Sequence, residues 1–276
     1  LAADGKRVSF AGADGLTLIL GAGTSYVLDA ARRFDGDHPL ARVTGQVDRA
    51  AARPVQLLRT EHEEDFQRLL QRVAIDLGAT PEARRRLPTD ARLLAYTKDG
   101  GDPELEAQYF QYGRYLLASS SRGSLPANLQ GLWNNSLTPP WNSDYHTNIN
   151  IQMNYWPAEV TNLGELAEPF FDFVTGVAPV WRQTTAREFR RADGKPVRGW
   201  TLRTESNPFG AMGYLWNKTG NAWYAQHFWE HYAFTRDARF LREVAYPMMK
   251  EASAFWQDYL KELPDGRLVA PQGWSP

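Results

Sequence analysis

Apolar positions along the chain change their period once. Over the first 28 residues they come as short runs cut by turn signals. Val8-Ser9-Phe10 precedes Gly12 and Asp14-Gly15, Leu16 to Leu20 follows, and Tyr26-Val27-Leu28 closes the stretch. Asp-Gly between apolar runs is a hairpin signal, so strands are predicted here. Two or three strands bury too little to stand alone, which points to the end of a β domain. Residues 29–56, with Asp35-Gly36-Asp37, His38-Pro39 and Arg53-Pro54, read as a linker that turns helical. From about residue 57 the spacing is helical: Phe66, Leu69, Leu70 and Val73 fall at i, i+3, i+4 and i+7, and Gly78 suits a helix stop. Pro103-Glu104 opens a helix carrying Leu105, Tyr109, Tyr112 and Leu116. Further helices are predicted over 150–160, 164–190, 221–235 and 238–262. The last carries Leu241, Val244, Met248, Ala252, Phe255 and Tyr259 along one stripe. The connections 121–149 and 191–220 are long and polar, and such loops between packed helices are where function is usually carried. The expectation is a mainly α body over 57–276, with β structure confined mostly to 1–28.

Composition narrows the function. Of the 276 residues, 43% are hydrophobic and 23% charged, ordinary for a globular protein. With 31 basic against 32 acidic residues, nothing in the charge balance favours nucleic acid or an anionic membrane as partner. No apolar run approaches the ~20 residues that span a bilayer. Cysteine is absent, which excludes disulfides, thiolate zinc sites and a cysteine nucleophile. The chain starts at Leu1 without a signal-like segment and stops at Trp274-Ser275-Pro276, and both ends are expected to be cut from something longer. Aromatics are abundant, with 10 Trp, 12 Tyr and 13 Phe, mostly after residue 109. Most of that area belongs in a core. Trp133, Trp141, Trp156, Trp200, Trp216, Trp223 and Trp274, however, stand near Asn, Gly and Pro rather than in apolar runs, which favours a share in a sugar-stacking cleft.

The chemistry concentrates in residues 124–159. Ser124-Leu125-Pro126-Ala127-Asn128-Leu129-Gln130-Gly131-Leu132-Trp133-Asn134 leads through Pro139-Pro140-Trp141 and Ser143-Asp144-Tyr145-His146-Thr147-Asn148-Ile149-Asn150 to Gln152-Met153-Asn154-Tyr155-Trp156-Pro157-Ala158-Glu159. Asn148 and Asn150 lie two apart. In an extended stretch before a helix both carboxamides would point to one side, where their oxygens could accept both protons of one water. The competing reading makes one of them the helix N-cap. His146 has no second His or carboxylate at metal-ligand spacing, and neither a metal nor a cofactor is expected.

Those quoted segments resemble the catalytic-domain motifs of glycoside hydrolase family 95, with looser similarity over 65–78, 109–121 and 229–237. The resemblance covers about 57–276. It implies an inverting enzyme, chiefly an α-L-fucosidase on α-1,2-linked fucose, with α-L-galactosidase as a neighbouring activity. It also implies the end of an N-terminal β-sandwich over 1–28, a linker over 29–56, and the first part of an (α/α)6 barrel over 57–276. By resemblance, Asn148 and Asn150 hold the attacking water with help from a distant carboxylate, while His146, Trp133 and Trp141 contact the sugar. The family's general acid is a Glu directly after Ser-Pro. This chain ends on Ser275-Pro276, so the acid is expected as the next residue, and the 276 residues alone are expected to be inactive. A fucosylated glycan is the implied partner and a periplasmic or secreted location the implied compartment.

The second polar loop, Gly199-Trp200-Thr201-Leu202-Arg203-Thr204-Glu205-Ser206-Asn207-Pro208-Phe209-Gly210, reads as a surface connection or as a substrate wall. In the latter, Glu205 and Asn207 bind sugar hydroxyls and Trp216 stacks on a ring. Glu159 and Glu230 are expected to be structural. Two other classes stay open: another (α/α)-barrel glycosidase or lyase using Asp144 and Glu205 as its carboxylate pair, and a glycan-binding module without catalysis.

Overall fold

A computed structural model of the chain describes residues 2–3, 8–123 and 125–274; Ser275-Pro276, on which the expected position of the acid depends, lie outside the described residues. The chain divides into two units, Leu1–Tyr26 with Asp35–Glu64, and Val27–Phe34 with Asp65–Pro276.

In the first unit, β1 (Ala2–Ala3) pairs antiparallel with β2 (Val8–Ser9). The strand expected over 16–20 does not form. Leu18 and Leu20 are 77% and 92% exposed, and no neighbouring strand bonds their backbone among the described residues. Tyr26 forms an isolated bridge to Asp35 and not a continuous strand. The linker does turn helical, in α1 (Leu40–Ala51). Gly21 passes so close to that helix that a Cβ there would come within 2.7 Å of Val47 and 2.9 Å of Val43.

Helix α2 (Val55–Leu70) leads into the second unit, which is mainly α. Its carboxyl end leaves carbonyls without helical partners. Arg114, 1% exposed on α5 (Pro103–Ser120), donates to three nearby carbonyl oxygens, of Leu69 at 3.0 Å, Leu70 at 2.6 Å and Val73 at 3.2 Å. A cation at that end also suits the helix dipole. Two helices that periodicity did not single out, α3 (Glu82–Arg85) and α4 (Thr89–Asp99), precede α5. Asp102 ties this region together. Its buried carboxylate caps α5 through the Leu105 N–H at 3.0 Å, accepts from Arg92 at 2.6 and 2.7 Å, and accepts from the Thr80 hydroxyl at 2.6 Å. With Pro103 in the first turn, this is the start that the sequence predicts.

The core gathers around α7 (Glu168–Glu188), whose Phe170, Phe171, Phe173, Val174, Val177 and Trp181 are buried. Tyr155 of α6 (Asn150–Val160) stacks on Phe170, and Tyr224 and Phe228 of α8 (Gly220–Thr235) close round the same ring. Glu159 Oε1 is hydrogen-bonded to His231 Nδ1 at 2.6 Å between α6 and α8. Helix α9 (Ala238–Phe240) runs through a π turn (Leu241–Ala245) into α10 (Tyr246–Tyr259).

The expectation that β structure is confined mostly to residues 1–28 needs one correction. Residues 191–220 contain an antiparallel hairpin, β3 (Leu202–Ser206) and β4 (Met212–Asn217). Leu202, Thr204 and Ser206 are buried while Arg203 and Glu205 are half-buried, a period of two that polar residues disguise in the sequence. A smaller pair, β5 (Lys261–Glu262) with β6 (Leu268–Val269), takes up the end of the helix expected to reach 262.

Candidate active site

Two segments remote in sequence meet along the free edge of β3. Tyr145 and Ser206 exchange both backbone hydrogen bonds, at 2.9 and 3.2 Å, and the Thr147 N–H donates to the Thr204 carbonyl at 2.8 Å. Residues 145–147 therefore run antiparallel beside β3. Directly opposed residues share a face. Tyr145, Thr147, Thr204 and Ser206 take the buried face. His146 and Glu205 are opposed on the other, joined by Asp144 two residues earlier. One ligand-type atom from each of Asp144, His146 and Glu205 lies within 4.8 Å of the other two. Gly213, opposite Glu205 on β4, leaves the room: a Cβ there would approach Glu205 Oε2 to 2.8 Å.

His146 Nδ1 is hydrogen-bonded to Asp144 Oδ1, and the two side chains are 13% and 8% exposed. Burial pushes the Asp144 carboxyl above its usual range, the bond to His146 pulls it back down, and the Glu205 carboxylate raises it further. Three donors at this spacing could hold a cation. Here Nδ1 and Oδ1 are already bonded to each other, which is the arrangement of an oriented imidazole.

Trp141 lies edge-on to His146, ring centroids 6.4 Å apart. It sits in a short helical turn, Pro140–Ser143, in which Trp141, Asn142 and Ser143 all have positive φ, at 46°, 56° and 48°. Each left-handed L-residue costs about 1–2 kcal/mol, and such strain clusters at functional sites. Ser143 Oγ anchors the turn by donating to Gln130 Oε1 at 2.8 Å. Trp133 and Trp141 both expose indole surface, at 44% and 69%.

Beyond His146 the chain is not extended, as expected from sequence, but turns at 147–149 into α6. The Thr147 carbonyl accepts from Asn217 Nδ2 at 2.9 Å and from Gln152 Nε2, which fixes that turn. Ile149 occupies the N-cap position and no side chain caps the helix, so neither Asn148 nor Asn150 serves as the cap. Asn148 Oδ1 is buried and has no hydrogen-bond partner among the described residues.

The other expected contacts divide. Glu205 is in the cluster. Asn207 spends its carboxamide oxygen on the hairpin turn, accepting from the Phe209 and Ala211 N–H groups at 3.0 and 3.1 Å. Trp216 packs edge-to-face on Phe189 with centroids 4.7 Å apart, and Arg203 lies 4.8 Å over its ring. Trp200 is 1% exposed against Trp181 and belongs to the core, not to a cleft. Sequence reasoning passed over Gly213, whose one signal was a glycine amid apolar and aromatic residues.

Residues 54–276 match the glycosyl hydrolase family 95 catalytic domain. The chain belongs to glycosyl hydrolase family 95. Among similar proteins, "Probable alpha-fucosidase A" of Aspergillus niger is 36% identical over 274 residues, covering 94% of this chain and 34% of that protein. "Alpha-L-fucosidase 2" of Arabidopsis thaliana is 34% identical over 278 residues, covering 99% and 33%. "Probable alpha-fucosidase A" of Aspergillus oryzae is 37% identical over 209 residues, covering 72% and 28%. The chain thus spans about a third of the length of the curated relatives it matches. No helix among the described residues of this family 95 chain is long and apolar enough to cross a membrane.

Proposed function

We propose that the chain belongs to an inverting α-L-fucosidase acting on terminal α-1,2-linked fucose of a glycan, and that it supplies the water-holding side of the active site. The observation that carries this reading is Asn148 Oδ1, a buried acceptor without a partner among the described residues, immediately beyond the Asp144–His146–Glu205 cluster. Buried polar atoms are nearly always satisfied, and a water held there meets the need. Asn150, at the first position of α6, is the second carboxamide for that water. Family membership and relatives named as α-fucosidases support the sugar and the bond. In this reading His146, Glu205, Trp133 and Trp141 line the sugar site, with Asn207 and Trp216 at its margin. Residues 57–276 open an (α/α)6 barrel, and residues 1–28 end a β-sandwich. The helical content of the second unit and the β1–β2 pairing are consistent with both.

A second use of the cluster, as an acid–base pair made of Asp144 and Glu205, fits the geometry less well. Inverting pairs stand about 6.5–9.5 Å apart with the sugar and water between them. These two lie within 4.8 Å, on the same face as the imidazole.

The test uses the full-length protein and 2′-fucosylated oligosaccharides. Asn148→Gly and Asn150→Gly should each lower kcat by at least about 100-fold with a smaller change in KM, as expected when an interaction made chiefly in the transition state is lost. Normal kcat in both variants would remove the water-holding role. Release of L-galactose in preference to L-fucose would move the activity to the neighbouring sugar.

A further inference from the structure

The proposed function gives His146 a task and leaves Asp144 without one. Yet Asp144 is the more buried of the two side chains. Taking a carboxylate out of water is costly unless hydrogen bonds compensate, and the one bond its side chain makes among the described residues is to His146 Nδ1. A carboxylate only accepts, so the ring proton lies on Nδ1. In the neutral imidazole that leaves Nε2 an acceptor, and Nε2 has no protein partner among the described residues. The ring is also held against rotation. The backbone on either side of it is clamped to β3 through Tyr145 and Thr147, Trp141 lies against it edge-on, and Glu205 faces it across the pairing.

We infer that Asp144 is a positioning residue: it fixes the tautomer and orientation of His146 so that Nε2 stands as a preformed acceptor for a hydroxyl of the bound sugar. The identity of that sugar rests on the α-fucosidase reading; the orientation of the ring does not. The same chemistry explains why the short strand-like stretch 144–147 is built as it is. Residues 145 and 147 hold the backbone, and residues 144 and 146 share the face that receives the ligand.

The experiment has two arms, both on the full-length protein. In the first, 15N-histidine NMR reads the tautomer, with the His146 signals assigned by their loss in His146→Ala. Nδ1 should be protonated and Nε2 bare, and Asp144→Ala should shift the proton toward Nε2. A wild-type ring protonated on Nε2, or a tautomer unmoved by Asp144→Ala, overturns the inference. If Asp144→Ala does not fold, Asp144→Leu, of similar shape and without an acceptor, is read in the same way, while the wild-type spectrum remains decisive by itself. In the second arm, calorimetric titration with L-fucose should show affinity weakened roughly tenfold by Asp144→Ala and by His146→Ala. The double variant should be no weaker than the worse single one, because residues acting through one contact are not additive. Additive losses would mean that Asp144 acts other than through His146. A wild-type protein that neither binds nor releases L-fucose would sink the α-fucosidase reading and leave the tautomer result standing.

Discussion

A single side chain can show how strongly this core resists charge. His227 on α8 is 7% exposed and packs edge-on against Phe170. Burial drives its imidazole down to about 4, with the Glu159 carboxylate pulling weakly the other way. As pH falls, the unfolded chain therefore takes up this proton near 6.5 and the folded chain only near 4. The stability tied to the neutral ring is complete above about pH 6.5 and is lost as pH falls toward 4, amounting to roughly 3 kcal/mol. His227→Gln should flatten the loss of stability between pH 7 and 4, read by urea unfolding at several pH values. An unchanged slope would assign the acid sensitivity to other groups. At this scale the sequence named His146, Glu205 and Asn148. It could not reveal that Asp144 bonds to one of them, or that Trp200 is walled in by Trp181.

Elements meet where glycine allows it. Gly199 precedes β3 with φ of +67°, and a Cβ there would lie 1.9 Å from the Glu251 carbonyl oxygen on α10. Gly199→Ala combines left-handed strain with a backbone clash that no rotamer relieves. It should cost about 2 kcal/mol or more, seen as a fall of roughly 4–8 °C in Tm. Gly113, inside α5 with open space where a Cβ would stand, is the counterpart. Gly113→Ala should stabilise by about 0.5–1 kcal/mol through helix propensity. Equal effects at the two positions would contradict this account of how the hairpin docks. The helices α5 and α10 were legible because an apolar stripe repeats within a few residues. The hairpin was not, since Leu202-Arg203-Thr204-Glu205-Ser206 buries two hydroxyl residues: Thr204 Oγ1 donates to the Leu215 carbonyl on the other strand, and Ser206 Oγ has no partner among the described residues.

At the scale of the whole chain, the helices leave apolar surface uncovered. Ile149, Met153, Trp156 and Val160 form an exposed row along α6, at 40%, 46%, 47% and 66%. Tyr109, Tyr112 and Tyr115 expose another row on α5. Contiguous apolar patches beyond a few hundred Å² promote association. The 276 residues on their own should self-associate, measured by light scattering after size exclusion. A monodisperse 276-residue protein would refute this. By itself the sequence determined the mainly helical body, the start of α5 at Pro103-Glu104, and the family, because helix periods and starts are written in residues a few positions apart. Only the tertiary structure decided that His146 lies opposite Glu205, that Asp144 is bonded to the ring, and that Asn148 has a buried oxygen without a partner among the described residues. Those facts depend on a ladder between 145–147 and 204–206. Its hydrogen bonds join segments that no local spacing connects.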